Sequence, residues 1–186
     1  MNPIRLLLLD DHILFREGLS RLLASEPDFE IAGNCGTSHE ALEVLSHTPV
    51  DLVLLDFDLG EDHGSQFIQA ARRAGYQGKF LMLTAGMTAT ESSIALQLGA
   101  SGVFLKHNSP GTLAKAIRLV AAGEMWLDQK VIRRFETHVH SPFLRAWVRT
   151  LPEPGHSIAN MLRLKYPWYR DDRGGVRDEG ADAARE

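Results

Sequence analysis

The sequence predicts an α/β fold, in which a parallel sheet carries helices on both of its faces. One observation is the run at residues 52–55, where four consecutive apolar residues show no polar alternation. Such a run is typical of a strand that is covered on both faces. A second observation is the order of elements, because short apolar runs alternate with helical periodicity five times along the chain. That alternation favours parallel strands joined by helical crossovers.

Five short apolar runs are predicted as strands. They are Ile4–Leu9, Phe29–Cys35, residues 51–55, residues 80–83 and Gly102–Leu105. Four of the five runs lead directly into polar side chains. These are Asp10 and Asp11 after the first run, Asp56 after the third, Thr84 after the fourth and Lys106 after the fifth.

A helix is predicted after each strand, and local signals mark where the helices begin and end. The first helix has apolar residues at i, i+4, i+7 and i+8 from Phe15. Two helices open with a capping box, and the fifth opens with serine followed by proline. Glycines follow the later helices and are natural stops. These signals lie at Thr37 with Glu40, Thr88 with Glu91, Ser109 with Pro110, and at Gly75, Gly99 and Gly123.

Composition places the chain among ordinary globular proteins, with 186 residues, 44% hydrophobic and 24% charged, and a net charge of −4. The charge is unevenly spread, at −5 over residues 1–122, +4 over 123–170 and −3 over the last sixteen. A single cysteine, Cys35, excludes an intrachain disulfide and fits a reducing compartment. No run approaches the length of a membrane span, so we expect a cytoplasmic protein without membrane contact.

The polar residues at the strand ends predict a site. In an open α/β sheet the ligand crevice lies outside the carboxyl ends of the strands. Asp10, Asp11, Asp56, Thr84 and Lys106 should therefore converge there. Crowded carboxylates bind a hard cation such as Mg²⁺, and a carboxylate beside a metal-bound phosphoryl group can be the nucleophile that forms an aspartyl-phosphate. The ammonium and hydroxyl groups can take the remaining phosphoryl oxygens.

These residues resemble those of a two-component response regulator receiver domain, which has the flavodoxin-like (βα)5 fold with strand order 2-1-3-4-5. The resemblance covers residues 4–122 and rests on Asp10-Asp11, on Asp56 with Gly64 eight residues later, on Thr84-Ala85 and on the run Gly102–Lys106. The segment DDHILFREGL at residues 10–19 further resembles the NarL/FixJ/LuxR-type subfamily, in which a helix-turn-helix follows the receiver.

The resemblance implies a role for each residue. Asp56 would accept a phosphoryl group from a histidine kinase, and Thr84 and Lys106 would assist. Asp10, Asp11, Asp56 and the backbone carbonyl of Asp58 would hold Mg²⁺. Thr84 and Phe104 would form the switch pair. The family also implies a homodimer through the fourth helix, fifth strand and fifth helix, and a phosphoacceptor with self-limited autophosphatase activity, not a dedicated enzyme.

The chain departs from the family at three places beside the site, one of which is Gly60, where the family often has proline. His107 follows Lys106 where the family usually has proline after a cis bond, which makes the geometry of the bond between them an open question. Asp58 adds a carboxylate near the phosphoacceptor, and we hypothesise that it alters the lifetime of the phosphoryl group. His12 is interpreted as a helix-start residue and not as a general base.

Two alternative functions stay open. VLLDFDLG, at residues 53–60, resembles the first motif of haloacid-dehalogenase-type phosphatases, with Asp56 as nucleophile and Asp58 as acid/base. However, Leu59 stands where that motif has Thr or Val, and Asp10-Asp11 has no place in its scheme. The other alternative is a single-domain regulator that acts by protein–protein contact without binding DNA.

The last third of the chain is predicted to consist of two parts after the receiver at residues 1–122. Residues 123–154 are interpreted as a linker with helical segments, and residues 155–186 as a remnant or atypical output region, disordered from about residue 171. DNA binding is possible in this subfamily, but no recognition helix is visible. A diverged, a truncated and a partly out-of-frame output domain all fit this sequence.

Overall fold

The computed structural model describes residues 2–60 and 62–128, and its centre is a parallel sheet with helices on both faces. The predicted linker beyond residue 128 and the predicted output region at 155–186 lie outside the described residues. Within the described residues, no helix combines the length and apolarity needed to cross a membrane.

The elements alternate along the chain as the sequence predicts, with a few short additions. The strands are β1 (Ile4–Leu9), β2 (Phe29–Cys35), β3 (Leu52–Asp56), β4 (Asp58–Leu59), β5 (Asp62–His63), β6 (Lys79–Thr84), β7 (Gly102–Leu105) and β8 (Trp126–Leu127). The helices are α1 (Ile13–Ala24), α2 (Ser38–His47), α3 (Gly64–Arg73), α4 (Ala89–Gln97) and α5 (Pro110–Ala121).

The strand order of the main sheet is β2-β1-β3-β6-β7-β8, with every pair parallel. The first five positions confirm the predicted order 2-1-3-4-5, since β6 and β7 are the fourth and fifth predicted strands. The edge strand β8 is an addition, in which Trp126 and Leu127 pair with Gly102 and Val103.

The sheet is buried on both faces because its strands are apolar on both faces. In β1, Leu7 and Leu9 belong to one hydrophobic cluster, whereas Leu6 and Leu8 belong to the other. All four side chains are essentially inaccessible to solvent. Buried residues of α2, α3 and α4 cover the first face, and those of α1 and α5 cover the second. Each fully buried leucine stabilises the fold by about 1.5–3 kcal/mol, which accounts for the two-sided arrangement.

The predicted helix starts are confirmed. The capping boxes of Thr37 with Glu40 and of Thr88 with Glu91 are both formed, so orphan backbone N–H groups at these helix starts are satisfied. Ser109 caps α5, and its side chain accepts a hydrogen bond from Thr112. These caps fix where the loops above the sheet end.

The loop after β3 contains a short antiparallel pair, β4 with β5, that the sequence analysis did not predict. Gly60 lies in its turn with φ of 71°, a conformation that favours glycine. At the end of β7, the bond between Lys106 and His107 is trans, as are all peptide bonds of the described residues.

Candidate functional site

Asp10 and Asp56 lie side by side at the carboxyl ends of two neighbouring strands. β1 and β3 are paired in parallel through Leu9 and Leu55, and one aspartate follows each of these leucines. Each aspartate is only 3% exposed. Two carboxylates in such a setting repel each other and lose hydration, so they require positive charge nearby.

Lys106, directly after β7, supplies that charge. Its Nζ donates hydrogen bonds to Asp10 Oδ2 and to Asp56 Oδ2, each at 2.7 Å. The position of Lys106 is set by its backbone N–H, which donates to the carbonyl of Thr84 at 2.8 Å. The ammonium group also lies 4.5 Å from the ring centroid of Phe15, a favourable cation–π distance. Lys106 thus lies against both carboxylates, and its assisting role in phosphoryl transfer stays a prediction.

The surroundings shift the pKa values of the central pair. Burial raises the pKa of Asp56, the charge of Asp10 raises it further, and the hydrogen bond from Lys106 opposes both. For Lys106, burial by itself lowers the pKa, but the hydrogen bonds to Asp10 and Asp56 outweigh it, and the net pKa is raised. Asp56 is therefore a carboxylate whose charged form depends on the cations around it.

Asp11 and His12 complete the rim of the site. The His12 Nδ1 lies 2.8 Å from Asp11 Oδ1, 3.3 Å from Asp10 Oδ1 and 3.7 Å from Asp56 Oδ2. The backbone of His12 is the N-cap of α1, which agrees with its interpretation as a helix-start residue. Its imidazole, however, points into the carboxylate cluster, and the sequence analysis did not include it in the site.

The cluster has the composition and spacing of a cation site. Asp10, Asp11, His12 and Asp56 each offer one ligand atom, and these four atoms lie within 4.8 Å of one another. Carboxylate oxygens are the ligands that Mg²⁺ prefers, and the site leaves one side open to solvent through the half-exposed Asp11. Asp58 lies in β4 with an exposed side chain, and the role of its backbone carbonyl stays a prediction.

Thr84 and Phe104 lie close to this edge of the sheet but do not enter the cluster. Thr84, the last residue of β6, is buried, and its hydroxyl accepts a hydrogen bond from the backbone N–H of Gly86 at 3.0 Å. Phe104 is buried among apolar residues and lies 6.3 Å from Trp126 between ring centroids. Their role as a switch pair stays a prediction.

Gly64 sets how closely the loop after Asp56 can fold back. Its backbone N–H donates to the carbonyl of Phe57 at 2.9 Å. A Cβ atom at Gly64 would lie 2.4 Å from the carbonyl oxygen of Asp56 and 2.9 Å from Met82 Cε, closer than real Cβ contacts. The glycine eight residues after Asp56 is thus required by a backbone contact to Asp56 itself.

A doubly wound parallel sheet with buried aspartates and a lysine at the carboxyl ends of its strands defines a receiver-type signalling domain. The family model for the response regulator receiver domain matches residues 6–118, and the chain belongs to that family. The prediction from the sequence is confirmed at this level.

The chain is similar to several curated response regulators. It is 30% identical over 128 residues to the nitrate/nitrite response regulator protein NarL of Escherichia coli K12, covering 69% of this chain and 59% of that protein. It is 31% identical over 130 residues to the transcriptional regulatory protein DegU of Brevibacillus brevis, covering 70% and 55%. Both relatives are regulators, and the chain spans less than two thirds of the length of each.

The chain is also similar in structure to a solved response regulator. The crystal structure of a two-component response regulator of the LuxR family from Aurantimonas sp. SI85-9A1 matches with a TM-score of 0.67 and 26% identity. The match covers 72% of this chain and 95% of that one. The predicted flavodoxin-like fold of the receiver is thereby confirmed.

Proposed function

We propose that Asp56 is the phosphoacceptor of a two-component phosphorelay and that a histidine kinase is its donor. The carrying observation is the position of the Asp56 carboxylate, buried at the end of β3 and 2.7 Å from the ammonium of Lys106. A carboxylate is a competent nucleophile toward phosphorus when nearby cations offset the charge that accumulates during transfer. Family membership supports the assignment to this aspartate.

In the proposed transfer, a carboxylate oxygen of Asp56 attacks the phosphorus of a phosphohistidine. The P–O bond forms as the P–N bond breaks, and the departing imidazole takes up a proton from water. The product is an acyl phosphate, in which water can later attack phosphorus and restore the Asp56 carboxylate. This hydrolysis is the self-limited autophosphatase activity expected of the chain, and the exposed Asp58 side chain is proposed to change its rate.

Asp10, Asp11 and Asp56 would hold Mg²⁺, with the backbone carbonyl of Asp58 as a further oxygen ligand. When bound, Mg²⁺ supplies positive charge that offsets the repulsion between carboxylates and phosphoryl oxygens. Lys106 would shift part of its hydrogen bonding from Asp56 to a phosphoryl oxygen. The Thr84 hydroxyl would leave Gly86 and donate to another.

The signal is proposed to leave the site through Thr84 and Phe104 toward a surface made by α4, β7 and α5. Within the described residues, α4 carries an exposed large apolar side chain, Ile94, which is 45% exposed. This supports homodimerisation through that surface after phosphorylation. An increase in sedimentation coefficient on phosphorylation, lost in Ile94→Asp, would support the dimer, and an unchanged monomer would exclude it.

The test of the phosphoacceptor is intact mass after incubation with Mg²⁺ and acetyl phosphate. We expect the parent to gain one phosphoryl group and Asp56→Asn to gain none. Asp28→Asn, the same change at a half-exposed aspartate that pairs with Arg118 outside the cluster, should be labelled like the parent. Labelling of Asp56→Asn at the parental rate would mean that another residue is the phosphoacceptor. Comparing dephosphorylation of the parent and Asp58→Asn then tests the effect of Asp58.

A haloacid-dehalogenase-type phosphatase is the less favoured function, because Asp58 is exposed in β4 whereas Asp10 and Lys106 surround Asp56. A phosphatase would release phosphate from p-nitrophenyl phosphate over many turnovers. The proposed receiver would not.

For the output, we propose control of transcription through the residues after the receiver, because the similar DegU protein is a transcriptional regulatory protein. The charge of +4 on residues 123–170 is consistent with contact to DNA. DNA binding that weakens with salt, seen for the full chain but not for residues 1–128, would support this. Absence of DNA binding before and after phosphorylation would favour a contact regulator instead.

A further inference from the structure

The imidazole of His12 lies among the three carboxylates of the site. Its Nδ1 lies 2.8, 3.3 and 3.7 Å from one oxygen each of Asp11, Asp10 and Asp56. It therefore sits at the edge of the same small volume in which a divalent cation would be held by those oxygens.

The backbone on both sides holds this histidine in place. The His12 N–H donates to Asp10 Oδ1 at 2.8 Å, and the His12 carbonyl accepts from the Arg16 N–H at 3.0 Å in the first turn of α1. The side chain is 66% exposed, so an ion from solvent can reach the ring nitrogen without disturbing the core. A fixed backbone with an accessible ring is the arrangement of a pre-positioned ligand.

The separations fit the ligand shell of one ion. In an octahedral site with bonds of about 2.1 Å, adjacent ligand atoms lie about 3.0 Å apart and opposite ones about 4.2 Å apart. The distances from His12 Nδ1 to Asp11 and Asp10 are close to the first value, and the distance to Asp56 lies between the two. All four donor atoms lie within 4.8 Å of one another.

A nitrogen donor changes which cations such a site prefers. Mg²⁺ takes oxygen ligands and gains little from imidazole. Imidazole suits Zn²⁺, Cu²⁺, Ni²⁺ and iron, and affinity for nitrogen-containing sites rises from Mn²⁺ toward Cu²⁺ along the first row. A carboxylate site with one imidazole therefore favours late first-row ions more strongly than the same site without it.

We propose that His12 Nδ1 is a fourth protein ligand of the cation site and shifts its selectivity from Mg²⁺ toward late first-row divalent ions. The inference rests on the proposed function, because it takes the Asp10, Asp11 and Asp56 cluster as the cation site. It goes beyond that function because a site with oxygen ligands alone would not favour late first-row ions over Mg²⁺ to the same extent.

The test is calorimetric titration of the full chain with MgCl₂ and, separately, with NiCl₂. The cluster site is identified as the binding event that Asp56→Asn removes, which separates it from nickel bound by other histidines. At that site we expect His12→Ala to weaken the affinity for Ni²⁺ at least tenfold and to change the affinity for Mg²⁺ less than twofold. The control His39→Ala, at an exposed histidine on α2, should leave both affinities at the cluster site unchanged.

A spectroscopic signature gives a second readout. With Co²⁺ bound, the parent should show a paramagnetically shifted imidazole N–H resonance that His12→Ala lacks. An unchanged ratio of Ni²⁺ to Mg²⁺ affinity in His12→Ala would overturn the proposal. If both affinities rose by the same factor, the imidazole would only obstruct the site. Failure of the parent to bind Mg²⁺ at the cluster would instead overturn the cation site on which the proposal rests.

Discussion

The ammonium group of Lys106 bridges two buried carboxylates, with Nζ 2.7 Å from Asp56 Oδ2 and 2.7 Å from Asp10 Oδ2. The bridge connects the ends of β1, β3 and β7, three strands that are far apart in sequence. One side chain thus both stabilises the fold at this edge and stands next to the proposed nucleophile.

Replacing this lysine should show how much the two buried carboxylates destabilise the folded state when no cation neutralises them. We expect Lys106→Gln to lower the free energy of unfolding by about 3 kcal/mol without a divalent cation, because removing one partner of a buried ion pair leaves uncompensated charge. Added Mg²⁺ should recover part of the loss by neutralising the same carboxylates. Urea unfolding with and without MgCl₂ measures both effects.

The control for this prediction is Lys115→Gln, at an exposed position on α5, which should stay within about 0.5 kcal/mol of the parent. A Lys106→Gln variant as stable as the parent would contradict the view that the bridge stabilises the site. A loss that Mg²⁺ does not relieve would argue against cation binding at these carboxylates.

Gly64 should be intolerant of even one methyl group. The Cβ of Gly64→Ala would approach the Asp56 carbonyl oxygen to 2.4 Å, so the backbone of the proposed phosphoacceptor must move. We expect a loss of about 1–3 kcal/mol in unfolding free energy and slower phosphorylation by acetyl phosphate. The matched control is Gly18→Ala in α1, where a Cβ meets nothing within 4 Å. Gly18→Ala should be neutral or stabilising by up to about 1 kcal/mol. Phosphorylation of Gly64→Ala at the parental rate would refute the prediction.

The main sheet and its polar rim were predictable because both depend on patterns that are local in sequence. Asp10, Asp56 and Lys106 each follow an apolar run, and the parallel topology brings such positions to one edge. The hydrogen-bonded contact between Lys106 and the aspartates then follows from strand order and side-chain length.

Other features were missed because their signals are not periodic. The strands β4, β5 and β8 are two residues each, too short for alternation to be visible. The orientation of the His12 imidazole depends on the N-cap backbone of α1, whereas its position in the sequence predicts only a helix start. The contact between Gly64 and the Asp56 carbonyl likewise depends on how the loop folds back.

If a histidine kinase is the donor, as proposed, the start of α1 beside the site offers it a contact surface, because Leu14 there is 90% exposed. Leu14 borders an apolar groove of about 400 Å³ between α1 and α5 that reaches Lys106. We expect Leu14→Asp to slow phosphotransfer from a histidine kinase at least tenfold and to leave labelling by acetyl phosphate unchanged. An acidic residue in the first helical turn is favourable, so folding should be preserved.

The control for this surface is Ile94→Asp on α4, which lies on the opposite face of the sheet and should keep parental phosphotransfer from the kinase. Equal slowing with both phosphodonors would place the defect of Leu14→Asp in the site chemistry. Parental rates with both would show that the kinase does not use this surface.

The link between Arg5 and Asp51 should make stability depend on pH. Asp51 accepts hydrogen bonds from the Arg5 backbone N–H at 2.9 Å, from Nε at 3.0 Å and from Nη2 at 2.7 Å. The side-chain hydrogen bond with Arg5 lowers the pKa of Asp51, and burial opposes it only in part. A lowered pKa in the folded state contributes stability above the unfolded pKa of about 3.9, and that stability disappears as the pH falls through the folded value.

We therefore expect Asp51→Asn to lower the thermal midpoint at pH 7, and we expect its difference from the parent to shrink as the pH falls below about 3.9 toward the lowered folded pKa of Asp51. A double-mutant cycle with Arg5→Gln should give a coupling energy at pH 7 that weakens as the pH falls below about 3.9. Because both side chains are more than one third exposed, salt should also weaken the coupling. A coupling independent of pH would mean that the geometry of the hydrogen bonds, and not the charge of Asp51, carries the interaction between β1 and the start of β3.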